Sequence, residues 1–264
     1  MKRKLNKFIS CLCVILALIS FLGTSQIFAS GGKAYNWYCK KNDKHEIPQL
    51  DSEFSFINKY GGYYADFNVG NNDKVIYLTF DAGYENGNIE KILDTLKAHN
   101  AHGAFFILEN LIDRNPELIL RMKDEGHLIC NHTAKHPDMS KICDKDLFCA
   151  QLLRLEKAYF ELTGEEMAKI YRPPEGRFSE ENLKFAHELG YKTIFWSFAY
   201  ADWDNNKQMS AECALKKLLD HTHNGEILLL HPTSKTNAEI LDCFLTKLEK
   251  EGYRFGQLSE LWAK

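Results

Sequence analysis

The chain has 264 residues, of which 45% are hydrophobic, 26% charged and 12% aromatic. That composition describes a folded globular protein rather than a disordered one, and the length admits one sizeable core. A formal charge of −3 argues against nucleic acid held by phosphate contacts.

Lys2, Arg3, Lys4 and Lys7 open the chain, an apolar run follows from Phe8 to Leu22, and Ala29 offers a small residue for cleavage. This is a secretory signal layout over residues 1–29. The apolar run is about 15 residues against the ~20 needed to span a bilayer, which favours cleavage over the alternative, an N-terminal membrane anchor. Both readings export the protein, either secreted or held at the cell envelope. Removal of the four basic leader residues lowers the net charge to −7, so a wall polymer must be gripped by a specific groove. Of eight cysteines, six lie beyond the leader and none forms a C-x-x-C pair. A thiolate zinc knuckle is therefore not expected, and disulfides are permitted but not required.

Residues 30–72 read as an aromatic-rich extension wrapping the core. From residue 73 to 264 strands and helices alternate. Val75 to Phe80 is a buried strand, and residues 88–100 carry helical apolar spacing. Ala104 to Leu108 is a strand, Pro116 opens a helix ending near Gly126, and His127 to Asn131 is a strand. A long helix covers about Asp144 to Thr163, before a short strand at Ile170 to Arg172. Ser179 can cap a helix ending at Gly190, although Asn182 stands where a full capping box wants Glu or Gln. Lys192 to Trp196 is a strand, Ser210 to His221 a helix, Glu226 to Leu230 a strand, Asn237 to Glu251 a helix and Tyr253 to Phe255 the last strand. About seven strands alternating with helices predict a parallel sheet closed into an incomplete or distorted (β/α) barrel. No G-x-G-x-x-G or phosphate loop follows the first strand, so no nucleotide is expected.

In such barrels the active site gathers at the C-terminal ends of strands. Asp81 follows the first strand; alone it reads equally as turn chemistry. His132 and His136 follow the third strand at a spacing that puts both imidazoles on one face of a helical turn, ready to meet one metal, although such pairs also occur by chance. Arg172, Pro173, Pro174, Glu175 and Gly176 form a rigid turn that could hold the arginine against a site carboxylate or be structural only. Trp196 to Trp203 offers aromatics for a sugar platform or for filling the mouth, and His231 follows another strand. Together these residues suit metal-assisted amide hydrolysis, in which a carboxylate deprotonates water and a histidine protonates the leaving amine.

The set resembles the polysaccharide deacetylases of the NodB-homology type, carbohydrate esterase family 4, over residues 74–262. Thr79-Phe80-Asp81, His132-Thr133 with His136, Arg172-Pro173-Pro174 with Gly176, Asp202-Trp203 and Leu230-His231 stand in the family's motif order. The resemblance implies Asp81 as general base, His132 and His136 as ligands of a divalent metal (zinc, with manganese, cobalt or magnesium as alternatives), and Arg172 orienting Asp81. It implies His231 as general acid tuned by Asp202, with Tyr84, Glu85, Pro173, Pro174, Gly176, Trp196 and Trp203 forming the substrate site. One position departs from the family: Ala82 replaces the aspartate that is usually a third metal ligand. That departure, with Gly83 to Gly87, Phe195-Trp196-Ser197 and Asn237-Ala238-Glu239, resembles the subgroup acting in muramic δ-lactam synthesis of spore cortex (PdaA-like). The implied partner is a peptidoglycan glycan strand carrying N-acetylmuramic acid; no protein partner is indicated, and a monomer is expected. Alternatives are an N-acetylglucosamine or chitin-oligomer deacetylase of the same family, a non-catalytic glycan-binding protein, and a metal-free glycosidase built on two carboxylates.

Overall fold

The computed structural model describes residues 32–70 and 73–263. The leader expected over residues 1–29 lies outside the described residues. In chain order the elements are β1 (Ala34–Asn36), β2 (Gly62–Tyr63), β3 (Lys74–Ala82), α1 (Ile89–Ala98), β4 (Ala104–Ile107), α2 (Glu109–Arg114), α3 (Pro116–Asp124) and β5 (Leu128–Asn131). They continue with α4 (Lys145–Thr163), β6 (Ile170–Tyr171), β7 (Arg177–Ser179), α5 (Glu180–Glu188), β8 (Lys192–Ile194) and β9 (Phe198–Ala199). The last four are α6 (Ala211–His221), β10 (Glu226–Leu230), α7 (Lys235–Lys250) and β11 (Tyr253–Phe255).

All seven strands expected from periodicity are present, and two more join them. The nine-stranded sheet runs β2-β8-β6-β5-β4-β3-β10-β9, with β11 also on β3. Every pairing in it is parallel. The added strands, β2 and β9, are two residues each, too short to show a period-2 pattern. Their placement curls the sheet. β8 pairs near one end and β9 at the other, yet only residues 195–197 separate them. The Phe195 amide donates to the Tyr63 carbonyl at 2.8 Å, and the Ser197 amide to the Ile227 carbonyl at 3.0 Å. The sheet ends thus meet along a seam, giving the distorted barrel that the alternation of elements predicts.

The barrel interior holds Val75, Tyr77, Ala104, Phe106, Cys130, Ile170 and Ile227. Their sequence neighbours Ile76, Leu78, Phe80, Phe105, Ile129 and Leu228 face outward into a layer shared with the helices. This alternation is the pleat of a strand. Continued toward the strand ends, the inward series gives 75-77-79-81, 130-132, 170-172 and 227-229-231. The pleat therefore aims Asp81, His132, Arg172 and His231 into the mouth. Ala82, one step along, belongs to the outer layer.

Local details correct three expectations. Asn182 completes a capping box after all: its Oδ1 accepts the Ser179 amide at 3.1 Å while Ser179 Oγ accepts the Asn182 amide at 3.1 Å. An Asn at N3 reaches back as far as the Ser backbone requires. Helix α7 begins at Lys235, two residues earlier than its apolar spacing suggests, because Ser234 caps it by accepting the Asn237 amide at 3.1 Å. Helix α2 was not expected, since six residues hold too little of a helical period. The extension is integrated with the barrel: β1 pairs antiparallel with β7, and β2 is a strand of the main sheet. The six cysteines among the described residues are free thiols. Among the described residues no helix is long and apolar enough to cross a membrane.

Candidate active site

Arg172 is the hub of the mouth and is fully buried. Its Nη1 donates to Asp81 Oδ1 at 2.7 Å, Nη2 to Thr79 Oγ1 at 2.9 Å and Nε to the Ile194 carbonyl at 3.1 Å. The guanidinium also lies over the Phe106 ring, 4.1 Å from its centroid. A charge taken out of water needs such a set of partners. Burial works against ionisation of Asp81, but Arg172, His132 and His231 outweigh it and hold the carboxyl below the usual carboxylate range.

His132 and His136 meet, though not on the helical turn that their spacing suggested. The segment after β5 is a loop in which Thr133 and His136 take positive φ values of 73° and 55°. Asn131 Oδ1 accepts the Thr133 amide at 2.9 Å and Thr133 Oγ1 accepts the His136 amide at 2.9 Å, so side chains replace the helical ladder. The two rings are nonetheless 5.0 Å apart, edge to face. His132 Nδ1 donates to the Arg172 carbonyl at 2.9 Å, which leaves the Nε2 lone pair facing Asp81 Oδ2 at 3.5 Å. Burial holds this imidazole neutral, its pKa pushed down to about 4. Two lone-pair atoms facing one another with no proton between them call for a cation. Neutral imidazole nitrogens suit a divalent transition metal. His132 and His136 fit as its ligands, and Ala82 brings no oxygen. Among the described residues no group of three or more His, Cys, Asp or Glu side chains is placed to hold a metal, so an ion held by the two imidazoles would need water or substrate to complete its shell.

On the opposite wall His231 Nδ1 donates to Asp202 Oδ1 at 2.7 Å, and the His231 amide donates to Asp202 Oδ2 at 2.8 Å. Burial alone would lower the His231 pKa; the Asp202 carboxylate overrides it and holds the imidazole above its ordinary value. The Trp203 ring stands edge to face with His231 at 6.1 Å and is 60% exposed.

Between these walls lies a cavity of about 520 Å³ lined by Asp81, His132, His136, Glu175, Trp196, Ala199, Tyr200, Trp203, Leu229 and His231. Tyr84, Gly83, Leu108 and Thr233 border its outer part. The Tyr84 hydroxyl accepts from Asn205 Nδ2 at 2.9 Å, joining two rims. Other expected substrate residues play different parts. The two Glu85 oxygens accept the amides of Gly87 and Ile89, so this carboxylate caps α1 and is absent from the cavity lining. Gly176 lets Trp196 lie flat against the backbone; a Cβ there would stand 2.8 Å from that ring. Pro174 is buried beneath, and neither it nor Pro173 lines the cavity. Leu229 was given no role from sequence, while Tyr200 entered only among the aromatics of the 196–203 stretch and Glu175 only within the 172–176 turn. For Leu229 the inward parity of β10 was the available signal.

Known proteins share this arrangement. Residues 68–194 match the family model described as polysaccharide deacetylase. The peptidoglycan-N-acetylmuramic acid deacetylase PdaA of Bacillus subtilis is 40% identical over 256 residues, covering 96% of this chain and 94% of its own length. Its solved structure, described as a family 4 carbohydrate esterase, superposes with a TM-score of 0.82 over 87% of this chain and 97% of that one. The peptidoglycan-N-acetylglucosamine deacetylase PgdA of Listeria monocytogenes is 37% identical over 192 residues, 73% of this chain and 40% of that protein. A family pseudoenzyme from Bacillus anthracis is 27% identical, with a TM-score of 0.66 over 76% of this chain and 68% of that one. The chain belongs to the polysaccharide deacetylases of carbohydrate esterase family 4, hydrolases that remove N-acetyl groups from glycans.

Proposed function

We propose that the protein removes the acetyl group from N-acetylmuramic acid in peptidoglycan stripped of its stem peptide, the step that prepares muramic δ-lactam in spore cortex. The observation that carries the chemistry is the convergence of Asp81, His132 and His231 on one cavity with Arg172 behind them. Similarity to the B. subtilis muramic acid deacetylase over nearly the whole of both chains supports the substrate.

His132 and His136 would hold the metal, zinc in our reading, which polarises the acetyl carbonyl and makes bound water acidic. Asp81, ionised and fixed by Arg172, takes the proton from the attacking water. The water oxygen bonds to the carbonyl carbon. His231, protonated through Asp202, then donates its proton to the amide nitrogen as the carbon–nitrogen bond breaks, releasing acetate and a free amine. Trp203 and Trp196 bound the space for the acetyl group and sugar. Asp81 and His231 thus supply both proton transfers. A non-catalytic glycan binder has no use for that pair, nor is the chemistry that of a glycosidase.

We place the catalytic domain at residues 73–264 with residues 30–72 packed on it, exported by the leader to the cell envelope. The second reading, an N-acetylglucosamine deacetylase, draws on the 37% identity to PgdA, which spans less than half of that protein. Acetate release from peptide-stripped glycan is expected to exceed release from chitin oligomers at least tenfold; the reverse preference would select the second reading. Asp81→Asn is expected to abolish release while leaving metal content unchanged. His132→Ala is expected to remove both together, and full activity without metal would refute the ligand role.

A further inference from the structure

Behind His231 and Asp202 lies a side chain that the proton-transfer scheme does not use. Asn237, in the first turn of α7, is buried. Its Nδ2 donates to Asp202 Oδ2 at 2.6 Å and to the His231 carbonyl at 3.1 Å. Its Oδ1 accepts the Tyr200 hydroxyl. Both amide protons and the amide oxygen are thus satisfied, and only one orientation of the amide satisfies them. An Asn reversed by 180° would aim its oxygen at a carboxylate. The helix cap places it: Ser234 Oγ accepts the Asn237 amide, while the Ser234 hydroxyl donates to Gln208 Oε1 at 2.5 Å. Gln208 Nε2 in turn donates to the carbonyls of Asp202 at 2.8 Å and Asp204 at 3.0 Å.

We propose that Asn237 is a positioning residue for proton delivery by His231, with Tyr200 fixing its amide so that it can only donate to Asp202. Asp202 Oδ2 accepts from Asn237 and from the His231 amide, which leaves Oδ1 for the imidazole alone. The carboxylate cannot rotate without losing these bonds, and the ring is held at one angle to the cavity. The inference rests on the proposed acid role of His231. Groups facing this imidazole are Asp202 from its own wall and Asp81 and Arg172 from across the barrel. Asn237 carries no charge, so its effect works through geometry and hydrogen bonding.

The test compares Asn237→Leu, close to isosteric but unable to donate, with Asn237→Asp and with the parent. Two readouts are needed: acetate release across pH, and the titration of the His231 ring followed by nitrogen NMR in the full-length protein. For Asn237→Leu the expected result is a fall in kcat of about 30–100-fold with KM within about twofold, the size expected when a proton donor is misaligned. The His231 titration and the alkaline limb of kcat should both move to lower pH as Asp202 swings free. Asn237→Asp puts a second carboxylate against Asp202 and should move the His231 titration to higher pH. Tyr200→Phe, which frees the amide to flip, should show a smaller kcat loss in the same direction. An Asn237→Leu protein with kcat within twofold of the parent, or with an unmoved His231 titration, would overturn the proposal. If the parent itself releases no acetate, the deacetylase reading fails, while the ring titration still decides whether Asn237 positions His231.

Discussion

The two ends of β10 carry buried ionisable groups in opposite states. At its C-terminal end His231 meets Asp202, and across the mouth Asp81 meets Arg172; each carboxylate faces a cation or a donor. At its N-terminal end Glu226 is more deeply buried, yet only the His223 amide reaches it, at 3.1 Å, and its Oε1 has no partner among the described residues. Burial therefore wins there and pushes the Glu226 pKa up to about 8. Nearby His223 Nε2 shares a hydrogen bond with Ser197 Oγ at 2.9 Å and burial pushes its pKa down to about 4. Desolvation acts at both ends. Opposite charge is what converts a buried group into an ionised, oriented reagent; without it the same burial yields a neutral group.

Replacing Arg172 should erase that difference most completely. In Arg172→Met the strongest opposition to burial at Asp81 is lost and only His132 and His231 still oppose it, so the Asp81 pKa should rise. We expect kcat to fall by about 10³-fold and the acid limb of the pH profile to move to higher pH. The fold should lose about 3–5 kcal/mol through the uncompensated carboxylate, measured by denaturant unfolding. Next comes Asp202→Asn. His231 would lose the partner that holds its pKa up, so the alkaline limb should move to lower pH with kcat down about 10²-fold. At the other end turnover should be spared. Gly225 sits at φ 75°, and a Cβ there would stand 2.3 Å from the Asp66 carbonyl oxygen. Gly225→Ala should lower stability by about 3 kcal/mol while kcat of the folded protein stays within twofold. The smallest effect on turnover belongs to Glu226→Gln. The raised folded-state pKa of Glu226 contributes stability that is complete below the ordinary 4.5 and is lost as pH rises through about 8. Parent stability should therefore fall across that window, by up to about 1.4 kcal/mol per pH unit, and the glutamine variant should flatten the slope. A slope unchanged by the substitution would mean that Glu226 is ionised in the folded state.

Much of the mouth was legible because strand parity and motif order are one-dimensional. Asp81, His132, Arg172 and His231 each follow an apolar strand, and parity alone aims them inward. The conformation of the loop carrying His132 and His136 was misread because i, i+4 spacing is shared by a helical turn and by a loop with two left-handed residues, Thr133 and His136. That Glu85 turns its carboxylate to the Gly87 and Ile89 amides was not legible, because a carboxylate beside a site motif and one that caps the next helix look alike in sequence. β2 and β9 were missed because two residues carry no period. Asn237 entered only as the start of a helix and as part of a family likeness; its hydrogen bonds to Asp202 and Tyr200 depend on the meeting of α7 with the segment after β9, which no local pattern encodes.

The seam made by residues 195–197 has a mechanical meaning. One unbroken stretch of backbone is threaded through both margins of the sheet, like a lace drawn across a cuff. The rim that carries Trp196 and Tyr200 cannot spread without breaking the hydrogen bonds that the Phe195 and Ser197 amides make to Tyr63 and Ile227. A long sugar polymer must therefore be accepted by the cleft as it stands, with adaptation left to the side chains of Trp203 and Tyr84. Lengthening this stretch by even two glycines should slacken the lace and widen the cleft while every reacting side chain remains in the chain.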